Sequence, residues 1–373
     1  MSGVPIYVYL NEMIQKGATD LYLTVGVPPM MRVDDQLQPL SGVAVTEDDM
    51  QAVLGEILTT RQRLEFDINM ELNLALDMGQ EGRFRVSILR QRQRTAMVVR
   101  RITSKIPSFE ELHLPKLMEK LALEKRGLVL VCGVTSAGKS TTVAAMADFR
   151  NRMLGGHIMT IEDPIEFYHE HKKGIVTQRE VGIDTASYSV AMKNALRQKP
   201  DVILVGEIRD AGVMEQTLAA AETGHMCYAT MHSNNAAQAV ERVINFFNED
   251  RKQQIRIALS MNLRAIVAQR LVRTIKGDLV VALDVLLNEA LVRELILDGH
   301  TTKIHDIMST NNVAGMITFD QSLFNLYKNG IISEQIAIAE SDLSTDMKIK
   351  IQQLKLNDKS KGMLDIDTSR LSL

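Results

Sequence analysis

The chain has 373 residues, of which 45% are hydrophobic and 24% charged, and its formal net charge is −3. This composition is ordinary for a globular protein with room for two domains, and it disfavours a general nucleic-acid binder. No run reaches the about 20 apolar residues of a membrane span, and the first residues lack a basic signal-peptide region, so the sequence predicts a cytoplasmic protein.

Residues 1–105 predict a small α+β domain in which two helices accompany an antiparallel sheet. The helices are expected at residues 5–16, ended by Gly17, and at residues 46–66, opened by Thr46. A polar turn at residues 103–105 is the expected linker to the next domain. Strands are expected at residues 21–25, 30–33, 71–78, 83–89 and 95–102.

Seven arginines concentrate in the last two of these strands and the turn between them: Arg83, Arg85, Arg90, Arg92, Arg94, Arg100 and Arg101. Three interpretations compete, namely a solvated basic sheet face, a nucleic-acid surface, and arginines that reach the nucleotide of a neighbouring subunit. The nucleic-acid interpretation is the weakest because only Phe84 supplies an aromatic ring for base stacking. The sequence does not decide between the solvated basic face and the arginines that reach a neighbouring subunit.

Residues 127–142 read GLVLVCGVTSAGKSTT, which places the pattern G-x-x-x-x-G-K-S between an apolar strand and a helix expected at residues 141–149. Converging backbone N–H groups and the positive end of a helix grip a phosphate chain, and glycines allow the close approach. Lys139 supplies a charge for the β- and γ-phosphates, and the Ser140 hydroxyl can bind Mg²⁺. The predicted nucleoside triphosphate site comprises Gly133, Thr135, Ser136, Ala137, Gly138, Lys139, Ser140 and Thr141.

Strands and helices alternate from residue 128 to about residue 247, which predicts a parallel α/β sheet. Further strands are expected at residues 157–161, 202–206 and 225–231, and helices at residues 185–198, 213–222 and 236–247. Functional side chains of open α/β sheets gather at the carboxyl ends of the strands. The groups expected to meet there are Glu162, Asp163 and Glu166 after one strand, Glu207 after the next and His232 after the last.

The segment VILVGE, residues 202–207, resembles a Walker B strand in which Gly206 stands at the usual aspartate position. Glu207 therefore carries the acidic function, where a carboxylate can order the attacking water or hold Mg²⁺ through water. His225 and His232 are seven residues apart, and an odd spacing on a strand puts them on opposite faces, so they cannot share one metal ion. Phosphate sensing is the favoured role of His232, with His225 further from the chemistry.

From residue 250 onward the pattern is mostly helical. Residues 256–275 look amphipathic, with Arg264, Arg270 and Arg273 on the polar face. A short strand is expected at residues 282–287 and a helix at residues 288–297. Thr318 and Gln321 match a capping box for a helix that stops near residue 330.

At these motifs the chain resembles the bacterial secretion and type IV pilus motor ATPases, specifically the PilT/PilU retraction group. The motifs are GVTSAGKST at residues 133–141, TIEDPIEF at 160–167, ILVGEIRD at 203–210 and AETGHMCYATMHS at 221–233. The resemblance extends to about Tyr327 and implies an α/β protein in which a PAS-like α+β N-terminal domain precedes a RecA-like parallel-sheet P-loop ATPase domain with a helical C-terminal extension. The expected divisions are the PAS-like domain at residues 1–105, the ATPase core at 106–250, its helical C-terminal part at 251–357 and a disordered tail at 358–373.

The resemblance also implies roles for individual residues. Lys139 and Ser140 bind phosphate and Mg²⁺, and the other implied catalytic positions are Glu207 as the catalytic carboxylate, Glu166 near the nucleotide, His225 and His232 of the histidine box, and Arg85 and Arg100 as arginines that reach across a subunit interface. Arg83, Arg94 and Arg101 compete for that last role.

As a whole, the resemblance implies a homohexameric ring that binds ATP and Mg²⁺ between subunits and drives pilus disassembly and twitching motility. The implied partners are further copies of the chain, a PilT-type retraction ATPase and the inner-membrane platform protein of the pilus, with no nucleic acid. The implied location is the cytoplasm, peripherally at the inner-membrane base of the pilus machine.

Two departures from the wider superfamily refine this expectation. Pilus-extension and type II secretion ATPases usually carry a four-cysteine zinc element and extra N-terminal domains, whereas this chain has two cysteines, Cys132 and Cys227, which favours retraction. PilT proteins carry an AIRNLIRE-like helix where this chain reads LVRELILD at residues 291–298, which resembles the accessory PilU motors.

Two other functional classes remain as alternatives. A RecA-like DNA translocase shares the core and the ring but would need basic pore loops. An ATP-binding regulatory subunit with little turnover of its own would show a damaged phosphate loop or lack Glu207, and both features are intact in this sequence.

Overall fold

The computed structural model describes residues 5–79, 82–102, 105–310 and 315–364, and the chain forms two compact units. Unit 1 comprises Met1–Ile106, Pro164–Glu170 and Arg179–Ala186, and unit 2 comprises Pro107–Asp163, His171–Gln178 and Ser187–Leu373. Residues 103 and 104 of the expected linker lie outside the described residues, as do residues 365–373 of the expected tail. Within the described ranges, no helix is long and apolar enough to cross a membrane.

Unit 1 contains a six-stranded antiparallel sheet in the order β3-β2-β1-β6-β5-β4, with three helices. Alternating burial along β4 and β5 gives the sheet one face against a core that includes Leu10, Phe66 and Phe84. The elements are α1 (Ile6–Lys16), β1 (Asp20–Thr24), β2 (Met30–Val33), β3 (Gln36–Pro39), α2 (Glu47–Ile57), α3 (Thr60–Asn69), β4 (Glu71–Asp77), β5 (Arg83–Gln91) and β6 (Arg94–Ile102).

The single helix expected at residues 46–66 is wrong, because two helices occupy this region. The chain is extended at Leu58, and Thr59 begins the second helix by accepting a hydrogen bond from the Gln62 backbone N–H while the Gln62 side chain accepts from Thr59. This second capping box was not recognised in the sequence, although Thr46 caps α2 as expected. Strand β3 was also missed, because all four of its residues are exposed and it has no apolar pattern.

Unit 2 is built on a seven-stranded sheet in the order β13-β12-β7-β11-β10-β8-β9. The five strands from β12 to β8 are parallel, and β13 is antiparallel to β12. The first elements are α4 (Leu117–Ala122), β7 (Gly127–Cys132), α5 (Lys139–Met153), β8 (Gly156–Glu162), β9 (Gly174–Glu180), α6 (Tyr188–Ala195), β10 (Val202–Val205), α7 (Ala211–Glu222), β11 (Met226–Met231) and α8 (Ala236–Asn245). The C-terminal elements are α9 (Glu249–Asn262), β12 (Leu263–Arg273), β13 (Leu279–Leu287), α10 (Ala290–Asp298), α11 (Ile304–Thr310), α12 (Phe319–Lys328), α13 (Glu334–Glu340) and α14 (Ser344–Leu364).

The three central strands β7, β10 and β11 are buried along their whole length. This is the pattern of a parallel sheet covered on both faces, and it explains the continuous apolar runs in the sequence. The pairing register aligns the exits of these strands, since Val205 of β10 lies beside Ile161 of β8 and Ala229 of β11. The parallel-sheet fold expected from the alternating pattern is confirmed.

The amphipathic helix expected at residues 256–275 is wrong. Helix α9 ends at Asn262, and the chain continues as β12, which pairs with β7 on one side and β13 on the other. Four consecutive residues, 265–268, are fully buried, which fits a central strand and not one stripe of a surface helix. The region at residues 251–357 is therefore not wholly helical, because it supplies two strands of the main sheet.

The later elements agree better with the sequence. The expected strand at residues 282–287 lies within β13, Gly299 ends α10 in the left-handed conformation, and Thr318 forms the expected capping box of α12. Strand β9 was not predicted. Helix α14 continues to Leu364, so the tail expected from residue 358 is helical over its first seven residues.

A buried carboxyl group joins two helices to the edge of this sheet. Asp284 of β13 is 1% exposed and accepts hydrogen bonds from the backbone N–H groups of Ala236, at 2.9 Å, and Phe319, at 3.3 Å. These are the first residues of α8 and α12. Burial raises the pKa of Asp284 to about 6.

Asp284→Asn tests this burial. An unfolded aspartate has a pKa of about 4, so the folded carboxyl binds its proton more tightly and the wild type gains stability as the pH falls from about 6 to about 4. The contribution is about 2–3 kcal/mol at about 1.4 kcal/mol for each pKa unit. Urea unfolding between pH 4.5 and pH 7.5 should show a flatter pH dependence in Asp284→Asn, and equal slopes would contradict the assignment.

Candidate functional site

The phosphate loop connects β7 to α5, and its conformation requires glycine at two positions. Gly133 has φ of 152°, and a Cβ there would lie 2.7 Å from the Gln269 carbonyl oxygen. Gly138 has φ of 84° and directly precedes α5, whose first residue is Lys139. The helix therefore begins two residues earlier than expected, and its N-terminus points its free N–H groups into the loop.

The eight predicted nucleotide-binding positions lie together in this one turn. Ser140 is exposed at the start of α5, whereas the Lys139 side chain folds back and its Nζ donates to the carbonyl oxygens of Gly133, at 3.0 Å, and Val134, at 2.8 Å. Burial lowers the pKa of Lys139, and the nearby Glu207 carboxylate opposes that shift. The loop thus presents one partly buried cation and a helix N-terminus, which is the chemistry of an anion site.

A cavity of about 160 Å³ adjoins the loop. Ala137, Gly138 and Thr141 line this cavity, together with apolar side chains that include Leu112, Leu271 and Leu279. It gives an apolar surface beside the phosphate turn against which a nucleobase can pack.

The Glu207 carboxylate lies at the exit of β10 between two basic side chains. Its Oε2 accepts from Arg209 Nε at 2.6 Å, and its Oε1 lies 2.9 Å from His232 Nε2. Arg209 Nη1 is also 3.5 Å from Asp163 Oδ2. The structure therefore brings Glu207 and His232 together, as expected, and adds Arg209, which the sequence analysis did not assign.

Two further residues belong to this cluster: Glu162, which was expected at this edge of the sheet, and Tyr188, which was not. Glu162 ends β8, is 9% exposed and accepts from Thr160 Oγ1 at 2.6 Å. A Cβ at Gly206 would lie 3.0 Å from both Glu162 Cα and the Tyr188 hydroxyl, so both residues lie directly against the residue before Glu207. Glu162 is the last residue of β8, at the strand exit where the sequence placed it, whereas no motif marks Tyr188.

The structure does not bring His225 to this cluster. His225 precedes β11, and its carbonyl oxygen accepts from the Gly127 N–H at the start of β7, whereas Gly133 follows the other end of that strand. Its Nδ1 is 3.0 Å from Thr223 Oγ1 and 3.1 Å from the Ala220 carbonyl oxygen. The six residues of β11 separate His225 from the edge where His232 lies, which agrees with the expectation that His225 is further from the chemistry and does not support the catalytic role that the resemblance implied for it.

The remaining predicted residues, Glu166, Arg85 and Arg100, belong to unit 1. Glu166 is exposed in the segment Pro164–Glu170. Arg85 and Arg83 lie near Glu180, whose pKa is raised by burial. Arg100 Nε donates to Asp20 Oδ1 at 2.8 Å, and this bond raises the pKa of Arg100. Each of the two predicted arginines thus faces an acidic residue of its own chain.

No group of three or more histidine, cysteine, aspartate or glutamate residues in the described parts of the chain could hold a metal ion. Cys132 and Cys227 are buried free thiols, and burial raises the pKa of each to about 12.

A phosphate loop and an acidic strand exit in one parallel sheet define the P-loop nucleotide hydrolases. The chain belongs to the type II/IV secretion system protein family, whose model matches residues 7–312. It is 47% identical to the type IV pilus ATPase PilU of Pseudomonas aeruginosa, over 92% of this chain and 90% of that protein.

Two other similarities concern PilT proteins. The chain is 38% identical to the type IV pilus retraction ATPase PilT of Pseudomonas aeruginosa, over 87% of this chain and 94% of the relative. A crystal structure of the pilus retraction motor PilT with bound ADP superposes with a TM-score of 0.85 at 37% identity, covering 92% of this chain and 98% of that one. The expected resemblance and the fold class that it implied are confirmed.

The Arg100–Asp20 pair predicts that Arg100→Ala loses stability whatever its role in catalysis. Asp20 is 5% exposed, so removal of the arginine leaves a buried carboxylate without its cation, at a cost of about 1–3 kcal/mol. Thermal unfolding should show a lower melting temperature for Arg100→Ala than for the control Arg94→Ala, which lies on the same strand. Equal melting temperatures would show that Asp20 does not depend on Arg100.

Proposed function

We propose that this chain is an ATP-hydrolysing motor that drives retraction of type IV pili, in the role of an accessory PilU-type motor. The observation that carries the proposal is the Glu207 carboxylate at the exit of β10, in the same sheet as the phosphate loop and separated from it by β11 alone. The 47% identity to a PilU ATPase and the similarity to a PilT motor solved with ADP support the choice of nucleotide and of task.

Nucleotide binding begins with an exchange of partners at Lys139. The Lys139 ammonium group leaves the carbonyl oxygens of Gly133 and Val134 for the phosphate oxygens, which carry full negative charge. The backbone N–H groups at the start of α5 add hydrogen bonds and the positive end of the helix dipole. The phosphate favours the charged form of Lys139 and so opposes the lowering of its pKa by burial.

Hydrolysis is phosphoryl transfer to water. The Glu207 carboxylate orients the attacking water and accepts its proton as the water oxygen bonds to the γ-phosphorus, while the bond to the bridging oxygen breaks and ADP leaves with that oxygen. Because Arg209 and His232 both hold Glu207, at least one of these contacts must open before a water can occupy its place. His232 is then positioned to respond to the γ-phosphate.

The residues present fit a magnesium ion. Mg²⁺ takes oxygen ligands, keeps several waters and is commonly bound through phosphates and one or two protein groups. The exposed Ser140 hydroxyl at the start of α5 would be its direct protein ligand, and Glu162 and Glu207 would hold its waters. When bound, the ion would neutralise the negative charge that develops on the β- and γ-phosphates.

The proposed assembly is a homohexamer in which unit 1 of one subunit contributes to the nucleotide site of the next. Arg85 and Arg100 are the proposed arginines in trans, and Glu166 lies near the nucleotide. Arginines that complete a site between subunits couple hydrolysis to ring geometry. The proposed partners are a PilT-type retraction ATPase and the inner-membrane platform protein, with the motor in the cytoplasm at the base of the pilus.

Lys139→Ala and Glu207→Gln should separate binding from hydrolysis. Lys139→Ala removes the phosphate cation and should abolish binding of a fluorescent ATP analogue. Glu207→Gln keeps the shape of the side chain but cannot accept a proton, so it should bind the analogue within about threefold of the wild type and lose about 100-fold in turnover. In cells that lack the native gene, neither variant should restore twitching.

Glu215→Gln is the matched control, because Glu215 pairs with Arg251 outside the cluster and its loss should leave turnover unchanged. Retained turnover in Glu207→Gln would remove that residue from its role. Restored twitching by a turnover-deficient Glu207→Gln protein would favour the regulatory subunit, and strong stimulation of the wild type by single-stranded DNA would favour the translocase.

A further inference from the structure

The Tyr188 hydroxyl is an anomaly within the cluster. Its oxygen is buried and, among the described residues, has no hydrogen-bond partner. Buried polar groups are nearly always paired, and an unpaired hydroxyl costs about 1–3 kcal/mol. A phenylalanine at this position would fill the same space without that cost.

The position of Tyr188 is fixed from two sides. It is the first residue of α6, which the Ser187 side chain caps by accepting from the Val190 N–H at 3.2 Å. Its hydroxyl lies against Gly206, where a Cβ would be 3.0 Å away. The missing side chain at Gly206, where related phosphate-loop enzymes usually carry an aspartate, therefore makes room for the tyrosine oxygen.

The surroundings of the hydroxyl are those of a hydrogen-bond donor. Asp163, Glu162 and Glu207 supply negative charge around it, and Arg209 supplies positive charge. Burial is the main cause that raises the pKa of Tyr188, so the oxygen keeps its proton at physiological pH. A neutral O–H group in the field of three carboxylates can donate to whichever of them comes within hydrogen-bond distance.

Arg209 is the member of the cluster that can move. Its side chain is 57% exposed and bridges Glu207, at 2.6 Å, and Asp163, at 3.5 Å. If Arg209 turns towards a phosphate group or keeps only Asp163, the Glu207 carboxylate loses one donor, while the Tyr188 hydroxyl beside Gly206 is still unpaired. His232 then holds only Oε1 of Glu207, and a second donor would help to keep the carboxylate aimed at the attacking water.

We propose that Tyr188 is a positioning residue for hydrolysis, whose hydroxyl donates to the Glu207 carboxylate, directly or through one water, when Arg209 leaves it. This inference rests on the proposed ATPase function and adds a residue to its machinery. The hydroxyl acts on the hydrolytic step and not on the ground-state grip on the nucleotide, because the phosphate contacts come from the loop before α5.

Tyr188→Phe removes the oxygen alone. We expect kcat for ATP to fall about tenfold, with KM and the Kd for ADP unchanged within twofold, and the Kd for ADP with aluminium fluoride to rise about tenfold. The melting temperature should stay the same or rise, because an unpaired buried hydroxyl is lost. Loss of a tyrosine hydroxyl with only a structural role would not lower kcat while leaving KM unchanged.

Tyr228→Phe is the matched control, because the Tyr228 hydroxyl is fully buried and donates to the Ala122 carbonyl oxygen at 2.7 Å. We expect this variant to melt at a lower temperature and, assayed well below that temperature, to keep the wild-type kcat. The two tyrosines should therefore show opposite effects on stability and on rate.

Three outcomes would overturn a claim. A Tyr188→Phe protein with wild-type kcat, or one whose kcat falls together with its melting temperature, removes Tyr188 from the hydrolytic step. A wild-type protein that hydrolyses no ATP overturns the proposed function itself. This failure is distinguishable from the first two, because it is seen in the wild type and not in a difference between the wild type and Tyr188→Phe.

Discussion

The site depends on the parallel register of the central strands of unit 2. Met231 of β11 lies beside Cys132 of β7, and Val205 of β10 lies between Ile161 and Ala229. The residues that follow these positions therefore emerge at one edge of the sheet, where the phosphate loop, the Glu207 carboxylate and the His232 imidazole meet. A shift of one residue in any pairing would turn the side chains to the other face, so register is the constraint that builds the chemistry.

Lys139 and Glu207, the two charged groups at this edge that the proposed reaction uses, already have partners in the structure. Lys139 holds two loop carbonyls, and Glu207 holds Arg209 and His232. Nucleotide binding therefore exchanges hydrogen bonds and does not simply add them, and the net gain is smaller than the sum of the new contacts. Such an exchange also links the bound phosphate, through mobile side chains, to the residues that follow two strands. A change in these side-chain contacts is the local event that a motor must convert into movement.

Much of the fold and the heart of the site could be predicted from the sequence, because some local patterns have only one physical solution. The phosphate loop is such a case, since its glycines and lysine serve one geometry between a strand and a helix. Strand β12 was mistaken for helix because its arginines recur at spacings that suit either element, and only its burial between β7 and β13 decides the matter. The histidine motif groups His225 with His232, but the strand between them puts the two residues at opposite ends of β11, so membership of the motif does not show which residue reaches the site. Tyr188 could not be found by pattern, because it meets Gly206 through a contact between elements distant in sequence. Arg209 lies within the motif of residues 203–210, but its bridge from Glu207 to Asp163 is visible only in the structure.

The most direct test of the account is steady-state ATP hydrolysis by the purified full-length protein across protein concentration, with and without single-stranded DNA. A motor whose sites are completed between subunits predicts a rate per chain that rises with concentration to a plateau and does not respond to DNA. A rate per chain that is independent of concentration, or one that DNA raises strongly, would contradict the account, and so would the absence of hydrolysis at every concentration.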